Sequence, residues 1–309
     1  MTYQEKKKLS IAVIIVTYNE EIHIERCIKS AKKYSNEIYI IDAYSTDKTI
    51  KIAKSLQAKV LQNKWQNHAE QFKWALKNIK SKAKWLLRLD ADEYLEKKLI
   101  LEIRNRLPEM DNEIFGVNFK RKQIFMNKWI KYGGRYPLPL LRLWRNGYGE
   151  MEGKWMDEHI FITKGKTTTF QNNFCDHNLN NLSFFVKKHD AYATKEAIEI
   201  LLQKYQKKNN YLKIKNTSLN VFLKRFVKEK IYNKLPMILR SLFYFIYRYF
   251  ILVGFLDGKR GLIFHFLQGF WYRFLVDSKV VELENEIKNL KKFRHILKKL
   301  SLVTGLKIY

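Results

Sequence analysis

The sequence predicts an α/β protein: a mixed, mostly parallel open sheet flanked by helices, followed by a helical, basic and aromatic-rich C-terminal extension. Three observations predict it. Short β-branched runs alternate with amphipathic stretches between positions 9 and 90. Strand-like segments separated by Gly- and Pro-bearing loops follow between 114 and 170. Beyond 180 the apolar spacing becomes helical to the end of the chain. Strands alternating with single helices form right-handed βαβ units, and these build a parallel sheet.

The first apolar run is LSIAVIIV (9–16), preceded by KKK (6–8) in the manner of a secretion signal. It spans only eight residues, runs into TYNEE and lacks a small-residue cleavage site. It is read as a buried parallel strand, and the protein as one that is not exported. NEEIHIERCIKSAKK (19–33) reads as a helix, with Asn19 as cap, Glu20 and Glu21 in the first turn, and Ile24, Cys27, Ile28 and Ala31 on one face. EIYIID (37–42) is a second strand and STDKTIKIAKSLQ (45–57) a second helix opened by capping residues. AKVLQ (58–62), HAEQFKWALKNI (68–79) and KWLLRLD (84–90) supply a strand, a helix and a strand. No GxGxxG follows the first strand and no Walker motif is present, which argues against a dinucleotide or P-loop reading.

IFGVNFKRKQIF (114–125), PLLRLWR (139–145) and HIFITKGKTTTF (159–170) read as strands, and KYGGRYPLP (131–139) as a loop. LSFFVKKHDAYATKEAIEILLQKY (182–205) reads as a helix. The predicted organisation is a catalytic domain over 1–180 and a helical region over 181–309, divided within NLNNL (178–182).

With 309 residues, 46% of them hydrophobic and 15% aromatic, the chain can bury a sizeable core. Its net charge of +29 implies a polyanionic partner: nucleic acid, an anionic membrane, or a phosphorylated substrate. Cys27 and Cys175 have no CxxC neighbour, which argues against a zinc site or disulfide framework and fits a reduced cytoplasmic compartment.

The chemistry-bearing residues gather at strand ends, where open α/β sheets bind ligands. VTYNE (16–20) ends the first strand, IDAYSTD (41–47) the second, and WLLRLDADEYL (85–95) stacks Asp90, Asp92 and Glu93 on the last. Two Asp at i and i+2 can turn their oxygens toward one point. Mg²⁺ or Mn²⁺ favours such oxygen ligands and keeps waters that phosphates replace. The alternative is a polar loop whose Asp caps a helix starting near Leu95. Asp42 is placed to accept from a base N–H or a ribose hydroxyl, while Asn19 and Ser45 to Asp47 also read as helix caps.

YNE, D-x-x-S-T-D and DADE, in that order, resemble the family 2 glycosyltransferases of the GT-A fold, a Rossmann-like architecture. The resemblance implies an inverting, metal-dependent hexosyltransferase. Thr17, Tyr18, Glu20, Asp42 and Asp90 would bind the nucleotide-sugar donor, with a uridine diphosphate sugar, glucose among them, as the expected donor. Asp92, with Asp90, would hold Mg²⁺ or Mn²⁺ on the diphosphate. The family places a general base some 60 residues after the DxD. WMDEHI (155–160) matches it, with Glu158 as the base and Asp157 as the other candidate. His159 either completes the metal site or hydrogen-bonds the base. One departure stands in the third helix, where many relatives carry Asn and this chain has Lys73, so Gln71 and Lys73 stay unassigned. Arg135, Arg142 and Arg145 around the Gly-rich loop read as phosphate-facing or as surface arginines.

The C-terminal third adds the partners. Residues 204–234 hold ten Lys/Arg against Glu229 alone. SLFYFIYRYFILVGFL (241–256) is interrupted by Arg248 and falls short of the roughly 20 residues of a spanning helix, so it reads as an in-plane or buried helix. GFLDGKRGLIFHFLQGFWYRFLVDSK (254–279) resembles a segment of bacterial cell-envelope sugar transferases of the same family. KNLKKFRHILKKL (288–300) puts Leu290, Phe293, Ile296, Leu297 and Leu300 on one stripe, to dock on lipid or on a second copy of the chain in a homo-oligomer. These features, with the resemblance, imply a peripheral protein on the cytoplasmic face of the bacterial inner membrane. Its acceptor would be a lipid-linked or lipopolysaccharide-core saccharide in cell-envelope polysaccharide biosynthesis, and nucleic acid would not be a partner. The charge and the acidic strand ends also suggest two other readings. A basic nucleic-acid-binding protein lacks a binding motif, and a sugar nucleotidyltransferase needs a Gly- and Lys/Arg-rich loop where TYNEE stands.

Overall fold

The structure is a computed structural model that describes residues 9–152, 159–205 and 237–308. The chain divides into two compact units, Met1–Leu179 and Asn180–Tyr309. The sheet of the first unit contains β1 (Ile11–Thr17), β2 (Glu37–Asp42), β3 (Lys59–Gln62), β4 (Trp85–Asp90), β5 (Glu93–Leu95), β6 (Ile114–Phe125), β7 (Lys128–Trp129), β8 (Pro139–Arg145) and β11 (Lys166–His177). A separate antiparallel hairpin pairs β9 (Gly149–Met151) with β10 (Ile160–Ile162). Strand order is β3-β2-β1-β4-β8-β6-β11-β5, with β7 on β6. The sheet is mixed: β3, β2, β1 and β4 run parallel, β8 reverses between β4 and β6, and β11 returns parallel to β6.

The parallel half is covered on both faces, and its side chains alternate between two cores as strand pleating requires. Ile11, Val13, Ile15, Ile38, Ile40, Leu87 and Leu89 face one core. Onto it pack α1 (Ile24–Ala31) through Ile24, Cys27, Ile28 and Ala31, and α4 (Lys97–Arg106) through Leu99, Ile100 and Ile103. Ala12, Ile14, Tyr39, Ile41 and Leu86 face the other core, covered by Ala69, Phe72 and Ala75 of α3 (His68–Asn78). The remaining crossover helix, α2 (Thr49–Ser55), joins β2 to β3. Both cysteines are buried free thiols.

Three local departures from the sequence reading have physical causes. Asn19 does not cap α1: it sits at φ 54 and accepts from Thr46 N at 2.8 Å, and the helix begins at Ile24 after a turn that closes on Glu20 O. The helix expected near Leu95 begins at Lys97, and Glu93 to Leu95 before it form β5, an edge strand antiparallel to β11, because the Phe174–Asp176 end of β11 offers a pairing partner from across the sequence. β11 also runs on to His177, well past Phe170.

In the second unit α5 (Leu182–Tyr205) packs along α8 (Tyr272–Ile287), with Ala193, Tyr272 and Val276 at their contact. Glu196 accepts from Tyr272 Oη and Arg273 Nη1, each at 2.6 Å, and Lys279 pairs with Asp190 at 2.7 Å. The 241–256 stretch is not one helix. α6 (Met237–Ile246) passes into a π-helical turn, Tyr247–Ile251, then a 3₁₀ turn, Gly254–Asp257, before α7 (Gly258–His265) and a second π segment, Phe266–Trp271. Val253 in the left-handed region makes the break. Arg248 folds inward, buried beside the Tyr244 ring. Gly254 is required there: an added Cβ would lie 2.8 Å from Arg248 O. In α9 (Phe293–Thr304) the stripe holding Ile296 and Leu300 is buried against α8 and α5 of its own unit, so it is committed neither to lipid nor to a second copy. Of the basic stretch 204–234, residues 206–234 lie outside the described residues.

Gly149 lies against the buried Trp144, where an added Cβ would meet the indole at 2.3 Å. Gly149→Ala is expected to lower stability by about 1–3 kcal/mol through overpacking, measured by urea denaturation.

Candidate functional site

Parallel pairing brings the three strand-end motifs to one edge. Thr17 lies opposite Asp42 on neighbouring strands, and Val16 lies opposite Asp90 on the other side of β1. Asp42 and Asp90 are therefore about two strand spacings, roughly 10 Å, apart along the sheet edge.

Asp42 is fully buried and organises the loop after β2. Its Oδ1 accepts from Thr17 Oγ1 at 3.0 Å and Ser45 Oγ at 2.5 Å; its Oδ2 accepts from Ser45 N at 2.8 Å and Gln62 Nε2 at 3.4 Å. The loops after β1 and β2 are cross-tied. Glu20 N donates to Thr49 Oγ1, Glu21 N to Asp47 Oδ2, and Lys48 N to Glu21 Oε2. Asp47 also accepts from Thr49 N at 2.9 Å, doing the capping work expected of this loop. Glu20 itself holds His23 Nδ1 at 2.6 Å. This lattice leaves Tyr18 and Tyr44 standing out at the edge, 57% and 56% exposed, with Tyr44 at φ 61. A non-glycine residue in that conformation at a ligand edge is strained unless its surroundings impose it. Sequence reasoning named Tyr18 and missed Tyr44, whose signal was a second aromatic two residues past a strand end.

The acids after β4 are not a loose cluster. Glu93 is buried, accepts from Asp90 N at 3.0 Å through Oε2, and forms an ion pair with the buried Arg142 through Oε1. Burial pushes the Glu93 carboxyl well above its ordinary value, opposed by Arg142. Asp90 behaves oppositely. Burial works to raise it, but Arg88, Arg142 and His68 outweigh that and hold it well below the usual carboxylate range. Arg88 Nη2 lies 3.3 Å and His68 Nε2 3.8 Å from Asp90 Oδ1, and Arg142 Nη2 lies 3.7 Å from Oδ2. Asp92 is held from the other side. Its Oδ2 accepts from Asn178 Nδ2 at 2.9 Å, and its carbonyl from Arg26 Nη2 and His177 N, each at 3.1 Å. Beneath the cluster, burial and then the charges of Glu93, Asp92 and Asp90 raise the Cys27 thiol well above its ordinary value, so Cys27 is a packing group.

The donor set at this edge fits a hard divalent cation. Asp90 and Asp92 present oxygen ligands, and Asp92 Oδ1 takes no hydrogen bond among the described residues. No group of three His, Cys, Asp or Glu forms a cage among the described residues. One or two carboxylates with the remaining positions left to water and phosphate is the way Mg²⁺ is commonly bound.

Asp157 and Glu158 lie outside the described residues. His159 is exposed at the end of the β9–β10 connection, its carbonyl accepting from Glu152 N at 3.0 Å. The three loop arginines are structural: Arg142 is the buried partner of Glu93, Arg135 donates to Gln123 Oε1 at 2.6 Å, and Arg145 donates to Ile114 O at 2.8 Å while lying over Trp85. Gln71 is buried on Asn63, and Lys73 pairs with Glu70 at 2.8 Å on the same helix. Sequence reasoning did not find Arg26, His68 and Asn178, which reach the acids from distant segments, or Arg88, which stands two residues before Asp90 on the same strand.

The family model of glycosyl transferase family 2 matches residues 12–179, more than half of the chain. The chain belongs to glycosyl transferase family 2. The match begins in β1 and ends at Leu179, so it takes in the whole carboxylate edge. This family 2 chain is 43% identical over 93 residues to an uncharacterised glycosyltransferase of Rickettsia bellii, covering 30% of the chain and 31% of that protein. It thus spans about a third of the length of the curated relatives it matches first. It is 29% identical over 153 residues to the lipopolysaccharide core biosynthesis glycosyltransferase LpsC of Rhizobium meliloti, covering 47% of the chain and 54% of LpsC. In fold it is similar to the mannosyltransferase PcManGT of Pyrobaculum calidifontis, solved with GDP-Man and Mn²⁺, with a TM-score of 0.50 at 12% identity over 89% of this chain and 87% of that one. The architecture is GT-A, followed by a helical region rich in aromatics.

Arg142 is the counterion that makes the buried Glu93 tolerable. Arg142→Met is expected to destabilise by about 3–5 kcal/mol, and Glu93→Leu combined with Arg142→Met to recover most of that loss, read from urea unfolding midpoints.

Proposed function

We propose that the chain is an inverting, metal-dependent glycosyltransferase. It moves a hexose from a nucleoside diphosphate sugar, uridine diphosphate glucose being the leading donor, to a lipid-linked or lipopolysaccharide-core acceptor. The observation that carries this is the meeting of Thr17 and Asp42 with Asp90 and Asp92 at one sheet edge. The catalytic domain corresponds to residues 1–180 and the acceptor- and membrane-facing region to 181–309.

The nucleotide lies along the edge between the β1 and β2 loops. Tyr18 and Tyr44 offer ring faces to the base, and Thr17 and Glu20 frame its entry. Asp42 fixes the 43–47 loop, and its longest contact, Gln62 at 3.4 Å, is the one that a base N–H displaces. Asp90, kept ionised by Arg88 and Arg142, stands on the ribose side, and Asp92 faces the diphosphate as the principal ligand of Mg²⁺ or Mn²⁺. The cation supplies, when bound, positive charge against the departing nucleoside diphosphate. Glu158, with Asp157 as the other candidate, takes the proton from the acceptor hydroxyl as that oxygen attacks the anomeric carbon. The matching edge in a family 2 chain and the similarity to LpsC support the donor and acceptor classes.

The protein is proposed to work as a peripheral protein on the cytoplasmic face of the inner membrane. No single described helix is long and apolar enough to cross a membrane; one pair, Leu239–Ile251 with Gly254–Ile287, passes together with a 72° bend. Around that bend Phe243, Tyr247, Phe250, Ile251, Phe255 and Leu256 are exposed, Ile251 to 69%. Apolar rings at a bend with Lys259 and Arg260 beside them suit the headgroup layer of an anionic leaflet.

Thermal-shift screening of nucleoside diphosphate sugars tests the donor. The cognate sugar with Mn²⁺ is expected to stabilise by about 2.7 kcal/mol at a hundred-fold excess over Kd, and EDTA or Asp92→Asn to remove most of that. No stabilisation by any nucleotide would overturn the reading. Glu158→Gln is expected to reduce transfer by about 10²–10⁴-fold with nucleotide binding unchanged. Replacing Phe250, Ile251 and Phe255 by Ser is expected to lower sedimentation with phosphatidylglycerol vesicles by about ten-fold or more, leaving nucleotide binding intact.

A further inference from the structure

A cleft of 1120 Å³ opens on the first unit beside α1, the β5–α4 junction and strands β6, β7 and β11. Thr17, Asp42, Asp90 and Asp92 do not line it. It nevertheless touches their edge, because Arg26, on its wall, donates to Asp92 O at 3.1 Å, and Tyr94, also on its wall, follows Asp92 by two residues.

The cleft is basic after its internal pairs are subtracted. Its cations are Arg26, Lys29, Lys33, Lys97, Lys98 and Lys122. Its acids are already engaged: Glu25 with Lys29, Glu96 with Lys122 at 2.7 Å, and Glu21 with Lys48 N at 3.0 Å. Lys33, Lys97 and Lys98 have no carboxylate partner among the described residues, and Arg26 engages only carbonyls, the His177 ring and the Tyr94 face. Two buried donors on the wall, Arg26 Nε and Trp129 Nε1, have no hydrogen-bond partner among the described residues.

Stability does not explain this arrangement. Lys97 and Lys98 occupy the first turn of α4, at the positive end of the helix dipole, with no acid in that turn. Each basic residue at such a place is unfavourable by about 0.3–1 kcal/mol. Only a bound anion turns that placement to advantage, joining lysine charge to the helix terminus. The opposite side is aromatic: Trp129 meets Tyr136 edge-on at 5.0 Å, while the Asn172 and Asn173 amides beside them are held by Glu102, Tyr136 and Glu96. Cations on one wall, with aromatic rings on the other, match a sugar that carries a phosphate or carboxylate.

We infer that this cleft is the subsite for the anionic part of the acceptor saccharide, with Lys33, Lys97 and Lys98 on the anion and the Trp129–Tyr136 side against the sugar. The inference rests on the transferase reading, and its test is independent of turnover. The full chain is titrated calorimetrically with glucose 6-phosphate, glucose, inorganic phosphate, and UDP with Mn²⁺, alongside phosphatidylglycerol vesicles. The same set is repeated for the Lys97→Glu, Lys98→Glu double variant, whose exposed side chains put folding at little risk.

Glucose 6-phosphate is expected to bind about ten-fold or more tighter than either glucose or phosphate, and charge reversal to erase that preference while UDP affinity moves by less than about two-fold. Equal binding of phosphate and glucose 6-phosphate overturns the saccharide assignment. A preference that survives charge reversal overturns the site. Loss of vesicle binding with glucose 6-phosphate binding unchanged overturns it in favour of a lipid headgroup. Failure of the unaltered chain to bind UDP, with glucose 6-phosphate still bound, counts against the transferase reading and leaves the cleft standing.

Discussion

The buried pair of Arg142 and Glu93 is the interaction on which the carboxylate edge depends. Three acids within four residues would repel one another, and a strand ending in them would lose its place against β1. Arg142, arriving from β8 on the antiparallel side of β4, neutralises Glu93 inside the protein. Glu93 then uses its second oxygen to hold the Asp90 backbone. The Arg88 charge lies beside Asp90, and His68 Nε2 faces the same oxygen, so the Asp90 carboxylate persists where an isolated buried acid would take up a proton. The result separates the acids by task. Glu93 is structural, Asp90 is ionised and restrained, and Asp92 keeps one oxygen free of donors among the described residues.

A second constraint acts from the C-terminal end of the first unit. Arg26 of α1 reaches the carbonyls of Asp92 and His177, while His23 Nε2 accepts from Leu179 N at 2.8 Å. Burial, and then the charge of Arg26, lowers the His177 pKa, so this imidazole is neutral at physiological pH, with Nδ1 accepting from Arg26 Nη1 and Nε2 donating to Asn127 Oδ1. The position of Asp92 is thus set by residues far from it in sequence.

Much of this was legible beforehand because it follows from local pattern. The β-branched runs at 11–16 and 37–42, the alternation around them and the acids at strand ends fixed the parallel half and its ligand edge. What escaped needed long-range information. β5 forms only because β11 offers an edge. Asn19 leaves the helix it was expected to cap because Thr46, on another loop, captures its side chain. Arg135, Arg142 and Arg145 looked alike around their loop, yet only contacts from Gln123, Glu93 and Ile114 separate their roles. The amphipathic stripe of residues 290–300 was correctly read as apolar, but pattern does not name the partner, which is α8 of the same unit.

The central claim is that Asp92 and the β1–β2 edge together hold a cation and a nucleoside diphosphate. A crystal grown with UDP and Mn²⁺, with anomalous diffraction collected near the manganese edge, tests it most directly. The account predicts one strong peak about 2.0–2.2 Å from an Asp92 carboxylate oxygen, bridged to the diphosphate, with the base beside Tyr18 and Tyr44. Manganese bound away from Asp92, or a nucleotide bound elsewhere than the edge formed by β1, β2 and β4, would contradict it.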